Sequence, residues 1–339
     1  MTATTGFVPA RLRLARDLQK LSQSALARQV GLTPAAVSKF ESGEATPSRA
    51  TLTSLASVLS MPIGYFELPV EETHEGFFRS LRKSTVAQRR RARSLAHLVH
   101  DLATTAGAMG WPALDLPRVP IGSLDADADL PARAARVVRA SWAVPDGPID
   151  DVVALLETHG VPVLRLPLDA ADVDAFSLPF PDYPVVVLSA NKDDRARSRF
   201  DAAHELGHLV MHGDAVWGVK EVETQAHQFA AEFLMPSEQI AQELPERPDW
   251  DAFFKLKQRW HVSIAALLMR ARTLERMPPA AYTTAMKGLS ARGWRRIEPV
   301  PLGLPESPSK TLQLLRTAQQ ESTWFPQALL PALEEPLEA

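Results

Sequence analysis

Two histidines stand four residues apart in the stretch "FDAAHELGHLVMHGD", Phe200 to Asp214, with a glutamate directly after the first. The run His204-Glu205-Leu206-Gly207-His208 has the form H-E-x-x-H, which acquires a mechanical meaning if the segment is helical. Two imidazoles one turn apart can hold one Zn2+ at about 2.0–2.1 Å each, and a catalytic site then needs one more protein ligand and a water. Glu205 is poorly placed to share the ion but well placed to accept a proton from a water whose pKa zinc brings near ~7, the role of a general base.

The helical condition can be tested by angle. With His204 at 0°, His208 falls at about 40° and Glu205 at about 100°, while Leu206, Val210, Ala203 and Gly207 cluster between about 200° and 300°. Candidate chemistry and apolar stripe therefore occupy opposite sides, and Gly207 leaves room for a neighbouring element to approach closely. The third ligand must come from elsewhere. The following segment "EVETQAHQFAAEFLMP" carries an apolar stripe of Ala226, Phe229, Ala230 and Phe233, with Glu223 and His227 at its edge four residues apart, so either can reach the metal. A second-shell place suits His227. His212, where Gly213 ends the helix, suits a charge-dipole or capping role, and it and Tyr183 join His227 as second-shell or substrate-contacting candidates.

The elements that must position these residues can be read around them. "VPVLRLPL" and "YPVVVLSA" are short β-branched runs and read as strands, the second leading into the H-E-x-x-H helix. Helical patterns cover Pro131 to Trp142 and Ile149 to His159, the latter stopped by Gly160; further helices are expected at Glu221 to Leu234, Trp250 to Trp260 and Ser263 to Leu274. The chain of 339 residues, 45% hydrophobic, can bury more than one core, and no internal repeat is visible. It has no cysteine, so a metal must be held by His, Asp or Glu. No apolar run reaches eighteen residues, and the N-terminal residues lack the pattern of a signal peptide. These features point to a cytoplasmic protein with no membrane partner.

Up to about Leu68 the chain reads as four or five short helices. Ser22 can cap a helix from Gln23, Gly31 ends it, and Thr33-Pro34 opens the next with a cap and a proline at its first position. Ala27, Leu32, Val37 and Phe40, with Leu52, Leu55, Ala56 and Leu59, supply a small core. The short turn gives a helix-turn-helix, whose second helix would lie in the major groove of DNA. Its first residues, Pro34, Ala35 and Ala36, offer no bidentate base readers; contact then falls to Ser38, Lys39 and Thr33, apolar contact to Ala35, and phosphate contact to Gln23, Arg28 and Lys39. A docking or dimerisation module is the alternative. The run Arg89-Arg90-Arg91-Ala92-Arg93, preceded by Arg79, Arg82 and Lys83, reads as a solvated helix face or a second grip on a nucleic-acid backbone.

Taken together, "RSRFDAAHELGHLVMHGD", "EVETQAHQFAAEFLMPSE", "GPIDDVVALLETHGVPVLRL" and "KQRWHVSIAALLMRARTL" resemble the ImmA/IrrE family of zinc metallopeptidases, in the form fused to an N-terminal XRE-type helix-turn-helix. The resemblance implies zinc on His204, His208 and Glu223 with Glu205 as general base, although His227 replaces a small polar residue common in that segment. It implies a multidomain, mainly α protein with an α+β part: a helix-turn-helix domain over residues 1–68, a helical linker with the basic run over 69–130, a zincin-like peptidase domain of helices on a small sheet over 131–276, and a mixed, Pro-rich region over 277–339 open to a regulatory role. It further implies cleavage of a partner repressor, with activation of stress-response or mobile-element genes; DNA and that repressor are the expected partners, and a homodimer is open. Two other readings stand beside it: a transcription regulator whose zinc domain senses a ligand without cutting, and an antitoxin-like protein.

Overall fold

The computed structural model describes residues 6–71, 73, 85–105, 110–121, 128–168, 175–191, 194–212, 220–329, 331 and 333. Its first helices are α1 (Pro9–Leu18), α2 (Gln23–Gln29), α3 (Pro34–Ser42) and α4 (Arg49–Leu59), followed by a 3-10 turn at Ile63–Glu67. Three of them start on side-chain caps: Ser22 accepts from the Ala25 amide at 3.1 Å, Thr33 from Ala36 at 3.2 Å and Ser48 from Thr51 at 3.2 Å. Gly43 ends α3 at φ 80°, a conformation glycine adopts without penalty. Ala27, Val37, Leu52, Leu55, Ala56 and Leu59 are buried and Leu32 and Phe40 pack partly buried against them, the small core expected from their spacing.

The chain continues with α5 (Val86–Thr105), α6 (Leu130–Ser141) and α7 (Val152–Thr158), then β1 (Val163–Leu166), β2 (Ala175–Leu178) and β3 (Val185–Ser189). The basic run forms the first turns of α5. Sequence reading assigns this helix to a linker; the structure instead buries its Ala92, Leu95, Ala96, Leu98, Val99, Leu102 and Ala103 in one core with α1, and Arg11 of α1 pairs with Asp101 while its Nε donates to the Leu68 carbonyl at 3.1 Å. A helix with that much apolar surface must cover it. Gly160 stops α7 at φ 79°, and a Cβ there would lie 2.7 Å from the Ala113 carbonyl oxygen, so both backbone angle and space require glycine.

The sheet has order β1-β3-β2, with β1 parallel and β2 antiparallel to β3. Strand β2, "AFSL", has no counterpart in the sequence reading; four residues set in an Asp- and Pro-rich stretch carry too little alternation to be recognised, and pairing with β3 is what makes them a strand. Side chains alternate across the sheet: Leu164, Leu166, Phe176, Leu178, Val185 and Val187 join the core of α1 to α5, and Val163, Ala175, Val186 and Leu188 join a second core. That second core is covered by α8 (Arg195–Met211) and α9 (Lys220–Leu234), and extends through α10 (Ser237–Ile240), α11 (Trp250–Trp260), α12 (Ile264–Thr273) and α13 (Pro279–Ala291).

The last long helix, α14 (Ser309–Glu321), returns to pack on α5 and α7. Just before it, the buried Glu306 accepts from the Val152 and Val153 amides at 2.8 and 3.2 Å and pairs with Arg199 of α8, and its carbonyl accepts from Arg165 Nε of β1 at 2.9 Å. Among the described residues no helix is long and apolar enough to cross a membrane.

Candidate metal centre

Helix α8 lies on the sheet as the angular argument requires. Ala203, Leu206 and Val210 are buried in the second core, and Gly207 meets α9 so closely that a Cβ would stand 2.9 Å from Phe229 Cδ1. That approach brings Glu223 of α9 over the two histidines. His204 Nε2 lies 3.0 Å from His208 Nε2 and 3.5 Å from Glu223 Oε2. Neighbouring donors on one tetrahedral ion with bonds of about 2.1 Å lie about 3.4 Å apart, so these separations bracket what a shared cation demands. The three donor atoms all fall within 4.8 Å of one another, the group among the described residues that could hold a metal.

The electrostatics favour a cation at this point. Burial disfavours a charged His204, yet Glu223 and Glu205 outweigh it, and its pKa sits above the ordinary histidine value. Buried His208 moves the other way: desolvation, with His204 and His212 adding to it, holds it well below that value, so its ring is neutral and keeps a lone pair for a metal. Glu205, 3% exposed, is outside the donor group; burial pushes its carboxyl up to about 7, opposed by His204 and by the Ser177 hydroxyl, which donates to Glu205 Oε2 at 2.7 Å.

Ser177 is the residue that sequence reading misses. It lies on β2 opposite Val186, on the sheet face turned towards α8, and 28 positions in sequence separate it from the carboxylate it holds. In the order β1-β3-β2, β3 is central and β2 is an edge strand, the one beside Glu205. Gln225 also escapes sequence reading. It lies two residues past Glu223 on α9, and its Oε1 is 3.0 Å from His212 Nε2.

The remaining candidates are placed as follows. His227 is exposed, its Nδ1 donating to the Glu223 carbonyl at 2.7 Å and its ring 4.5 Å from that of His204, beside the donor group and outside it. His212 takes the capping place at the end of α8 and lies beside a ligand candidate, its Nδ1 3.0 Å from His208 Nδ1; burial pushes it down to about 4, so it is neutral at pH 7 and the charge-dipole alternative falls away. Tyr183 is a correction. Its side chain packs against the first core and its carbonyl oxygen is 3.1 Å from His100 Nδ1 of α5, away from the histidine cluster, because it follows β2 on the side of the sheet that α5 covers.

In the helix-turn-helix, Arg28, Ala35, Ser38 and Lys39 are exposed. Two other candidates are engaged within the domain: Gln23 Nε2 donates to Glu41 Oε2 at 2.8 Å, beside the Arg16–Glu41 pair, and the Thr33 hydroxyl is the α3 cap. In the basic run Arg90 is exposed, while Arg93 Nη2 donates to the Thr73 carbonyl at 2.8 Å; Arg79, Arg82, Lys83 and Gly213 lie outside the described residues.

The described fold is thus a helix-turn-helix followed by helices on a three-stranded sheet that carry the histidine–carboxylate group. Comparison with known families gives the same two parts: residues 12–66 match the helix-turn-helix family, and residues 156–272 match a peptidase family described as the IrrE N-terminal-like domain. The second match runs from α7 to α12 and so contains the sheet, α8 and α9. No curated protein matches the chain. The chain thus joins a DNA-binding type of domain to a domain of a metallopeptidase family, which implies a metal.

Proposed function

We propose that the protein is a DNA-associated zinc endopeptidase that cleaves a partner transcriptional repressor at one site and so switches on stress-response or mobile-element genes. His204, His208 and Glu223 hold the zinc, a donor set of two neutral-capable imidazoles and one carboxylate that suits that ion. Bound there, zinc supplies Lewis acidity and makes a water acidic near pH 7. Glu205 accepts the proton on its carboxylate and later returns it to the departing amine, while Ser177 keeps the carboxylate aimed and partly ionised. The helix-turn-helix carries the enzyme to an operator or to a DNA-bound repressor, with Arg28, Ser38 and Lys39 on its exposed surface.

The observation that carries the reading is Glu205: a buried carboxyl beside the donor group yet not part of it, held by a hydroxyl. A sensor would need the imidazoles and no base. The test compares the parent with Glu205→Gln, incubated with candidate repressors from the protein's own locus, with and without zinc and operator DNA. The variant should keep zinc and DNA affinity and lose ~10²–10⁴-fold in cleavage rate. Equal gene induction by the variant and the parent would replace proteolysis with the sensing reading.

A further inference from the structure

His208 is the more deeply buried of the two histidine ligands, and its ring is not held by packing alone. Its Nδ1 faces His212 Nδ1 at 3.0 Å, and His212 Nε2 faces Gln225 Oε1 at 3.0 Å. His212 and Gln225 are themselves buried, the first at the C-terminal end of α8 and the second on α9. His204 differs: its Nδ1 has no hydrogen-bond partner among the described residues.

Two nitrogens 3.0 Å apart share one proton, so the pair has two self-consistent arrangements. If His212 Nδ1 carried the proton and donated, a neutral His208 would carry its own on Nε2, the atom that faces His204 Nε2, and could not offer a lone pair there. The amide of Gln225 decides between them. Its oxygen only accepts, so His212 must carry its proton on Nε2; neutral His212 then has a bare Nδ1, and His208 must carry its proton on Nδ1. The Nε2 lone pair of His208 is left facing His204 and Glu223. Turning the Gln225 amide over would reverse every bond in the row and close that lone pair.

We infer that His212 and Gln225 are positioning residues for the metal site, a directional row in which Gln225 Oε1 fixes the tautomer of His212 and His212 fixes the tautomer and ring orientation of His208. The inference rests on the metal reading above and adds to it two residues that touch neither ion nor substrate. Partners of this kind usually are carboxylates or backbone carbonyls, and losing one commonly costs 10–100-fold in metal affinity. Here a neutral imidazole does that work, and it is an acceptor solely because a second side chain makes it one.

The experiment uses the full-length protein. In the parent, two-bond proton–nitrogen spectra of 15N-histidine-labelled, metal-free protein should show His212 protonated on Nε2 and His208 on Nδ1; the opposite pattern at His212 would overturn the inference without any substitution. Zinc affinity is then measured by competition with a chromogenic chelator. His212→Leu removes the acceptor and should weaken zinc 10–100-fold. His212→Asn places an amide oxygen near the old Nδ1 position and should stay within a few-fold of the parent, with the thermal midpoints of both metal-free variants close to the parent's. Undiminished zinc binding by His212→Leu, or equal losses in the two variants, would reduce His212 to packing. A parent that binds no zinc would sink the metal reading itself, and the spectra would still show which way the row runs.

Discussion

Replacing Gly207 by alanine sets two magnitudes against each other. In a helix interior alanine is favoured over glycine by about 1 kcal/mol, so propensity alone calls for a more stable protein. Packing says the reverse. The added Cβ would lie 2.9 Å from Phe229 Cδ1, 3.0 Å from Cγ and 3.1 Å from Cβ, where carbon atoms rest at about 3.5–4.0 Å. The ring has nowhere to turn, because Phe229 is buried and stacked on Phe233, which in turn meets Trp142. Since the Phe229 Cβ moves only with its backbone, α9 must retreat by about 0.5–1 Å, at the upper end of the ~1–3 kcal/mol that overpacking costs. The net expectation is a loss of about 2 kcal/mol. The retreat also carries Glu223 away from His204, now 3.5 Å apart, and zinc affinity should fall by roughly tenfold or more. Denaturant unfolding of the metal-free protein and chelator competition measure the two effects, and Phe229→Leu in the Gly207→Ala background should restore part of both. A Gly207→Ala protein as stable as the parent with unchanged zinc affinity would show that propensity prevails and that the α8–α9 contact does not set the ligand spacing.

Three further outcomes are expected. Glu223→Ala should remove most of the bound zinc and His227→Ala little of it, as read by metal content after dialysis; the reverse ranking would hand the third ligand to His227. Ser177→Ala removes the hydrogen bond that favours the ionised form of Glu205, so the acid limb of the cleavage profile should move to higher pH, and an unmoved limb would deny Ser177 that role. Burial, aided by Arg93 and Arg11, pushes His97 down to about 3, whereas the unfolded chain protonates it near 6.5. The unfolded state therefore binds more protons between those values, and stability should be full above pH 6.5 and drain as pH falls towards 3, by at most roughly 5 kcal/mol. Denaturation midpoints of His97→Leu should fall less steeply on acidification than the parent's; parallel acid profiles would show that other groups govern the loss.

Much of the site could be read from local pattern because a helix puts residues at i and i+4 on one face whatever surrounds it. His204, His208 and the opposed stripe of Ala203, Leu206 and Val210 follow from that geometry, as do the caps at Ser22 and Thr33 and the room at Gly207. The need for a third donor was equally plain, and so were its two candidates.

Local pattern was therefore enough for most helices up to residue 274, their buried faces and the type of chemistry they could hold, whereas α13 and α14 fall in a stretch that reads only as mixed and Pro-rich. Contacts between elements distant in the chain were decided only by the tertiary structure. Strand β2 exists because β3 pairs with it, and only then does Ser177 face Glu205. Glu223 joins the two histidines in the donor group while His227 only meets the His204 ring from outside it, because the close approach at Gly207 and Phe229 fixes how α9 crosses α8. Tyr183 goes to the α5 side of the sheet, and α5 itself becomes part of a core, since its apolar face found α1 and the sheet to cover it. Periodicity is a property of one element's backbone and is written locally; which donor, hydroxyl or ring ends within 3 Å of another depends on how two packed surfaces settle, and that is a property of the whole chain.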